Sequence, residues 1–303
     1  MECIKRRMLF ACYDVYEFAP PAASRKVAWL EDPRKIVRNA PDYDEPIDFA
    51  YVGRIPEGIL VAFRGTVPPF RRDTHRGPTV FFDWANNASF KCREIDPFPG
   101  GVHEGFAGST NRLWGGEDDS GVKAAIDALL ADPATQPALF FTGHSKGGAL
   151  ANLAAYRASR AWPDLPIRVF TAAAARAGNA AFRQDYEARR IKCVRYEATL
   201  DLVPYLPFGA DLPPEIRRFL GRIDEALLDN SYVPIGRRVP ENFSRTDWAR
   251  ALVSSLGSWF TGSRFRPRVP TVIAAHAIDE RSGYDALVCT SEHGCAPEHR
   301  LTA

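Results

Sequence analysis

The sequence predicts an α/β protein built on a mainly parallel sheet with helices on both faces. Two observations predict it. From Ile47 to Ala198, short apolar runs alternate with stretches in which apolar residues recur at helical spacing. Within them, Phe140-Phe141-Thr142-Gly143-His144-Ser145-Lys146-Gly147-Gly148-Ala149-Leu150 reads as a buried strand, a turn crowded with glycine and a helix. Its G-x-S-x-G turn is so sharp that the serine sits at a strained backbone angle. Gly143 and Gly147 flank it because a β-carbon at either place would collide with the neighbouring strand or helix. The hydroxyl is then left exposed at a helix N-terminus, where the dipole and free N–H groups favour developing negative charge. A lone G-x-S-x-G arises by chance. Here Ala138-Leu139-Phe140-Phe141 supplies the strand before it, and Leu150, Leu153 and Ala154 the helix after it.

The whole chain bounds the answer further. Its 303 residues, 46% hydrophobic and 25% charged, can bury a large core. A single domain over 1–303 is expected, with a helical cap insertion at 208–265. A net charge of +2, with no dense run of Lys and Arg among aromatics, gives no footing for nucleic acid. Lys5-Arg6-Arg7 followed by Met8-Leu9-Phe10-Ala11-Cys12 starts like a signal peptide. Asp14 and Glu17 interrupt the apolar run too early, so a short packed helix is the better reading. No stretch is long enough to span a bilayer. A cytoplasmic location is the default, with signal-independent export left open. The six cysteines form no C-x-x-C pair, so no metal is expected. Cys193 reads as a buried thiol. Cys289 and Cys295 are close enough for a bridge, although reduced thiols are the default.

Taken in order, residues up to about Pro46 are expected to be irregular. Ile47–Val52 and Ile59–Phe63 read as the two strands of a hairpin turning through Arg54–Gly58. The second strand runs into Arg64-Gly65-Thr66, where Gly65 allows a tight turn and Thr66 brings a hydroxyl and an N–H to a strand end. Residues 67–80 read as a loop or flap. Val122, Ile126, Leu129 and Leu130 predict a helix before the glycine-rich turn. Ile167–Ala172 and Cys193–Ala198 predict strands after it, with a helix over Ala180–Arg189 between them. Active sites in such sheets lie beyond the carboxyl ends of the strands, where Thr66, Ser145 and Asp201 all fall. Later, Ile216, Phe219, Leu220, Ile223 and Leu227 form an amphipathic stripe, and Ser244-Arg245-Thr246-Asp247 opens a second apolar stretch. These read equally as helices covering the sheet or as a cap lining an acyl site.

A serine hydroxyl needs a base to take its proton and an acid to orient that base. With a nucleophile turn of this type the chain order is Ser, then Asp or Glu, then His. His75 and His103 precede the serine. His144 is adjacent to it and reads as a buried, hydrogen-bonded support. His293 and His299 lie in a polar tail. His276 remains, following the apolar run Pro270–Ala275 and preceding a helix-like segment with Tyr284 and Leu287. Asp201, just past a strand end, is preferred over Asp211, Asp224 and Asp229. The predicted catalytic residues are therefore Ser145, Asp201 and His276. The oxyanion hole is assigned to the N–H of Lys146 and to Thr66.

These residues together resemble the lipase class 3 (fungal lipase-like) family of α/β-hydrolases. Val61-Ala62-Phe63-Arg64-Gly65-Thr66 looks like its oxyanion strand, and Asp83-Trp84 with Asn87 like its post-lid motif. Val102-His103-Glu104-Gly105-Phe106, the Gly143–Ala151 turn, Arg176-Ala177-Gly178-Asn179-Ala180-Ala181-Phe182 and Asp201-Leu202-Val203-Pro204-Tyr205-Leu206-Pro207 complete the series. The similarity covers roughly residues 47–207 and the surroundings of His276. It implies an α/β-hydrolase fold with a lid, and a serine esterase acting on carboxylic esters, of lipids or of short-to-medium acyl chains, without metal or cofactor. A lipid or small-molecule ester is the implied partner, with transient contact to a membrane surface; the oligomeric state is left open. Two departures stand out. Lys146 stands where lipases usually carry leucine, as in bacterial G-H-S-K-G-G relatives. The lid region carries Arg71, Arg72 and Arg76 in place of an apolar helix. Both leave room for short esters, or for phospholipids whose phosphate would meet the arginines. The rivals are a phospholipase effector acting on membranes and a lipase-like binding module without turnover.

Overall fold

The structure, a computed structural model, describes residues 4–16, 30–39, 46–66, 92–115, 120–198, 201, 203–209, 217–218, 231–240 and 284. Among them runs a seven-stranded sheet. Its strands are β1 (Glu31–Asn39), β2 (Pro46–Ile55), β3 (Gly58–Phe63), β6 (Leu139–His144), β7 (Ile167–Ala172), β9 (Lys192–Glu197) and β11 (Arg237–Pro240), neighbours in that order. The β1-β2-β3 meander is antiparallel; from β3 through β6, β7 and β9 to β11 every pairing is parallel. Every residue of β3 and β6 is buried. That is what unbroken apolar runs in parallel strands require, because both faces are covered.

The helices supply that cover. Helices α1 (Ile4–Asp14), α2 (Glu104–Trp114), α3 (Val122–Leu130), α4 (Lys146–Ala161) and α5 (Ala180–Ala188) flank the sheet. Alternation along the strands decides which residue meets which layer. Leu60, Ala62 and Phe140 join Met8 and Ala11 of α1 on one face. Val61, Phe63, Leu139 and Phe141 point the other way, into the main core with Phe106 and Leu113 of α2, Ile126 of α3, and Leu150 and Leu153 of α4. The stripe expected on α4 widens to almost the whole helix, since every residue from Gly147 to Tyr156 is buried.

Four short strands form a second, antiparallel sheet: β4 (Cys92–Ile95), β5 (Phe98–His103), β8 (Gly178–Asn179) and β10 (Tyr232–Val233), in the order β10-β8-β5-β4. Its job is local. It holds the start of α2 and the start of α5 against the main sheet.

The hairpin, the helix before the glycine-rich turn and the later strands match their expectations closely. The helix over Ala180–Arg189 ends at Ala188. The N-terminal region needs correction. Ile4–Asp14 is the short packed helix expected, but Glu31–Asn39, read as irregular, is an edge strand. Its E-D-P-R-K-I-V-R-N run buries only Ile36 and so lacks the apolar alternation that marks a strand. Backbone pairing to β2 makes it, and charges suit an exposed edge. Pro33 falls in the register irregularity between Glu31 and Arg34, where a missing N–H breaks no ladder bond. The expected flap over 67–80, the Asp83-Trp84 and Asn87 motif, the helical stretches at 213–228 and from 244 onward, and the Cys289–Cys295 pair all lie outside the described residues, save Arg217 and Arg218.

Candidate active site

Ser145 stands between the end of β6 and the start of α4 with φ 59° and ψ −129°, a conformation that costs a non-glycine residue roughly 1–3 kcal/mol. The surroundings over-determine it. Its N–H donates to Ala172 O at 3.1 Å, and its carbonyl accepts from Gly148 N at 3.0 Å and Ala175 N at 3.2 Å. A β-carbon on Gly143 would collide with the Gly147 carbonyl. One on Gly147 would strike the Phe63 carbonyl and crowd the Gly65 nitrogen. The turn is therefore packed backbone to backbone against the end of β3. Ser145 keeps only 7% of its surface, less open than the motif alone suggests, because the loop after β7 and the end of β3 flank it.

His144 is the support it was expected to be. It is buried, and Tyr16 Oη lies 3.0 Å from its Nδ1. The rings of Tyr16 and Tyr284 meet it edge-on, with centroids 5.9 and 6.0 Å away. Behind the turn, Cys12 Sγ is 3.0 Å from Thr142 Oγ1, which donates to Phe170 O at 2.7 Å. Burial pushes the Cys12 thiol up to about 12, so it is inert packing material.

Asp201 lies four residues past the end of β9 and is fully buried. Its N–H closes a turn onto Ala198 O at 3.2 Å. One carboxylate oxygen accepts from Val203 N at 2.9 Å, and the other from the Tyr284 hydroxyl at 2.7 Å. Tyr284 Oη in turn accepts from Ala198 N at 3.0 Å. The ring of Tyr284 thus spans from His144, beside Ser145, to Asp201. Sequence reasoning gave Tyr284 no role. Its only signal was a tyrosine in an apolar-spaced segment soon after His276.

The remaining motif residues hold loops in place. Arg176 donates from Nε to Pro204 O at 3.1 Å, from Nη1 to Tyr232 O at 3.3 Å and from its N–H to Leu206 O at 2.7 Å, stitching the acid loop to the loop after β7. Asn179 Oδ1 caps α5 by accepting from Phe182 N, and His103 Nδ1 caps α2 by accepting from Phe106 N. His103 also stacks on Phe106, and burial pulls its pKa down to about 4. Cys193 is the buried thiol expected, raised to about 12 by burial.

Asp48 was missed altogether. It lies in β2 with its side chain fully buried. Lys146 Nζ is 3.0 Å from Oδ1, and Arg112 of α2 reaches Oδ2 with Nε at 2.7 Å and Nη2 at 2.6 Å. Burial pushes the Asp48 carboxyl up, but the two cations and a hydrogen bond from Ser109 more than reverse this and hold it below the usual range. Lys146 is lowered, chiefly by burial, with Asp48 opposing. No signal short of the fold would have joined residues so far apart.

Ser145 and Asp201 therefore fall at the carboxyl ends of β6 and β9, with β7 between them. Lys146 opens α4, so its N–H is among the donors without an intrahelical acceptor. Thr66, three residues past β3, is exposed beside the seam where Gly147 meets Gly65. His276 lies outside the described residues.

Comparison with known proteins points to a like fold. Residues 74–210 match the family model described as lipase (class 3), a span that includes Ser145 and Asp201 but neither Thr66 nor His276. The fold is similar to that of Rhizomucor miehei triacylglyceride lipase, at TM-score 0.52 and 20% identity over 78% of each chain. It is similar also to a triacylglycerol lipase whose catalytic centre is a serine protease triad, at 0.53 and 22% over 79% of this chain and 78% of that one. Lipase II from Rhizopus niveus aligns at 0.52 and 20% over 79% of each chain. At these identities the likeness to the solved structures is one of α/β-hydrolase fold. Residues 74–210 of this chain are thus similar to the lipase (class 3) family.

Proposed function

We propose that this protein is a serine esterase or lipase that hydrolyses carboxylic esters, of lipids or of short-to-medium acyl chains, through an acyl-serine intermediate. The observation that carries the reading is Ser145 held at φ 59° at the N-terminus of α4, with buried Asp201 fixed on the same edge of the sheet. A strained serine kept in place by three backbone hydrogen bonds costs stability that a plain turn would not. The family match and the lipases of like fold favour a fatty acyl chain.

In this mechanism His276 takes the proton of Ser145 as its oxygen attacks the ester carbonyl. Asp201 orients the imidazole and stabilises its charged form. The N–H groups of Lys146 and Thr66 stabilise the oxyanion, each worth about 3 kcal/mol of barrier. His276 then hands the proton to the departing alcohol. Water attacks the acyl-serine with His276 again as base, and the carboxylic acid leaves as Ser145 regains its proton.

The test is hydrolysis of p-nitrophenyl esters of graded chain length, with fluorophosphonate labelling alongside. The parent should turn over and label at Ser145, and Ser145→Ala should do neither. A variant Ser145→Ala that matched the parent rate would overturn the assignment. A folded parent whose serine stayed inert would favour a binding module.

A further inference from the structure

We propose that the Lys146 side chain, strapped to Asp48, is a positioning residue that sets the width of the oxyanion site. The proposal rests on the serine-hydrolase reading and adds to it a part played by a side chain. Lys146 is a costly choice. It opens α4, where the helix dipole disfavours a cation. Its ammonium is also withdrawn from water, and an apolar residue of similar volume would fill that space without the desolvation cost.

What the ion pair joins explains the choice. The β2–β3 ladder pairs Ala50 with Phe63, so Asp48 lies level with Gly65, beyond the last rung of β3. Lys146 therefore reaches from the turn, across the end of β3, to β2. On its way it spans the seam where Gly147 abuts Phe63 and Gly65. The two predicted oxyanion donors, the N–H groups of Lys146 and Thr66, stand on opposite sides of that seam. Arg112 holds the other oxygen of Asp48 from α2, so the carboxylate cannot swing away. Arg112, Arg64 and His103 also face Lys146 electrostatically, and Asp48 opposes them. A strap across two separately anchored donors fixes their spacing, and a shift of about 1 Å in such a site costs up to about 100-fold in rate.

The experiment compares the parent with Lys146→Met, Lys146→Arg, and the double variant Asp48→Asn with Lys146→Met. Each is normalised by fluorophosphonate titration. Turnover of p-nitrophenyl butyrate gives kcat and KM, and a trifluoromethyl ketone, whose serine adduct carries an oxyanion, reports on the hole itself. Lys146→Met is expected to lower kcat per titrated site about 10- to 100-fold with KM within about twofold. Inhibition by the ketone should weaken by the same factor, and the thermal midpoint should fall, because buried Asp48 loses one of its two cations; titration per active site keeps that loss out of the rate. Lys146→Arg should restore most of the loss, and the double variant should be no worse than Lys146→Met. Should Lys146→Met not fold, Lys146→Gln keeps a donor toward Asp48 without the charge, and the same split is expected. Parent-like kcat and ketone inhibition in a labelled, folded Lys146 variant overturn the proposal alone. So does a loss confined to KM, or one that arginine does not restore. A folded parent that never labels sinks the hydrolase reading and this proposal with it.

Discussion

The hydroxyl of Tyr284 holds both ends of the turn that presents the acid: it donates to Asp201 at 2.7 Å and accepts from the Ala198 N–H at 3.0 Å. Tyr284→Phe keeps the ring against His144 but leaves a buried N–H without its acceptor. The expected result is a loss of about 1–3 kcal/mol in stability by urea unfolding. A fall in kcat of about 10-fold with little change in KM should accompany it, since in the proposed mechanism Asp201 acts on the base rather than on bound substrate.

Gly147→Ala tests the backbone seam. The added methyl would press on the Phe63 carbonyl, which is main chain and cannot rotate aside. Overpacking of this kind costs about 1–3 kcal/mol. Esterase activity should fall further than the folded fraction does, because the strain lands between the turn and the end of β3, where the proposed oxyanion donors lie. Circular dichroism and fluorophosphonate labelling measured on one sample separate the two effects.

His103 makes a pH prediction. In the fold its pKa is pulled from 6.5 to about 4 by burial, so the native protein holds the ring neutral. The unfolded chain binds a proton below about 6.5 while the native one does not until about 4. Stability therefore falls as the pH drops through that window, by roughly 3 kcal/mol in all. His103→Asn keeps an acceptor for the Phe106 N–H and removes the titration. Its stability, followed by urea unfolding at pH 7 and pH 4.5, should vary less than the parent's.

Arg176→Gln removes the guanidinium that bonds the carbonyls of Pro204 and Tyr232. Leaving two buried acceptors short costs about 1–3 kcal/mol each. Amide exchange should rise first at Val203 and Leu206, whose N–H groups close the acid loop, and kcat should drop with it. Unchanged exchange there would show that the loop is held by other means.

Much of this site was legible in the sequence because its signals are local. An apolar strand, three glycines and a helix stripe lie within one run, and Asp201 announces itself by following a strand. The missing parts are those whose meaning comes from distant partners. Asp48 sits in Ile47-Asp48-Phe49-Ala50, where alternation assigns it to a solvent face. It is buried instead by cations 64 and 98 residues away in the chain. Strand β1 hides in a charged run because only Ile36 is buried and its side-chain ties to β2 include ion pairs from Arg54 to Glu31 and Asp32. Strands β8 and β10, two residues each, are too short to carry any periodicity. The base expected at His276 lies outside the described residues.

Helix α1 backs β6, the strand that leads into Ser145. Met8 and Ala11 press on Phe140, Cys12 meets Thr142, and Tyr16 touches the imidazole next to Ser145. A shortened chain starting at the hairpin would keep every residue of the predicted chemistry and still lose the floor beneath it. Gene fragments trimmed to the recognisable family core should therefore yield protein that is poorly soluble or inert.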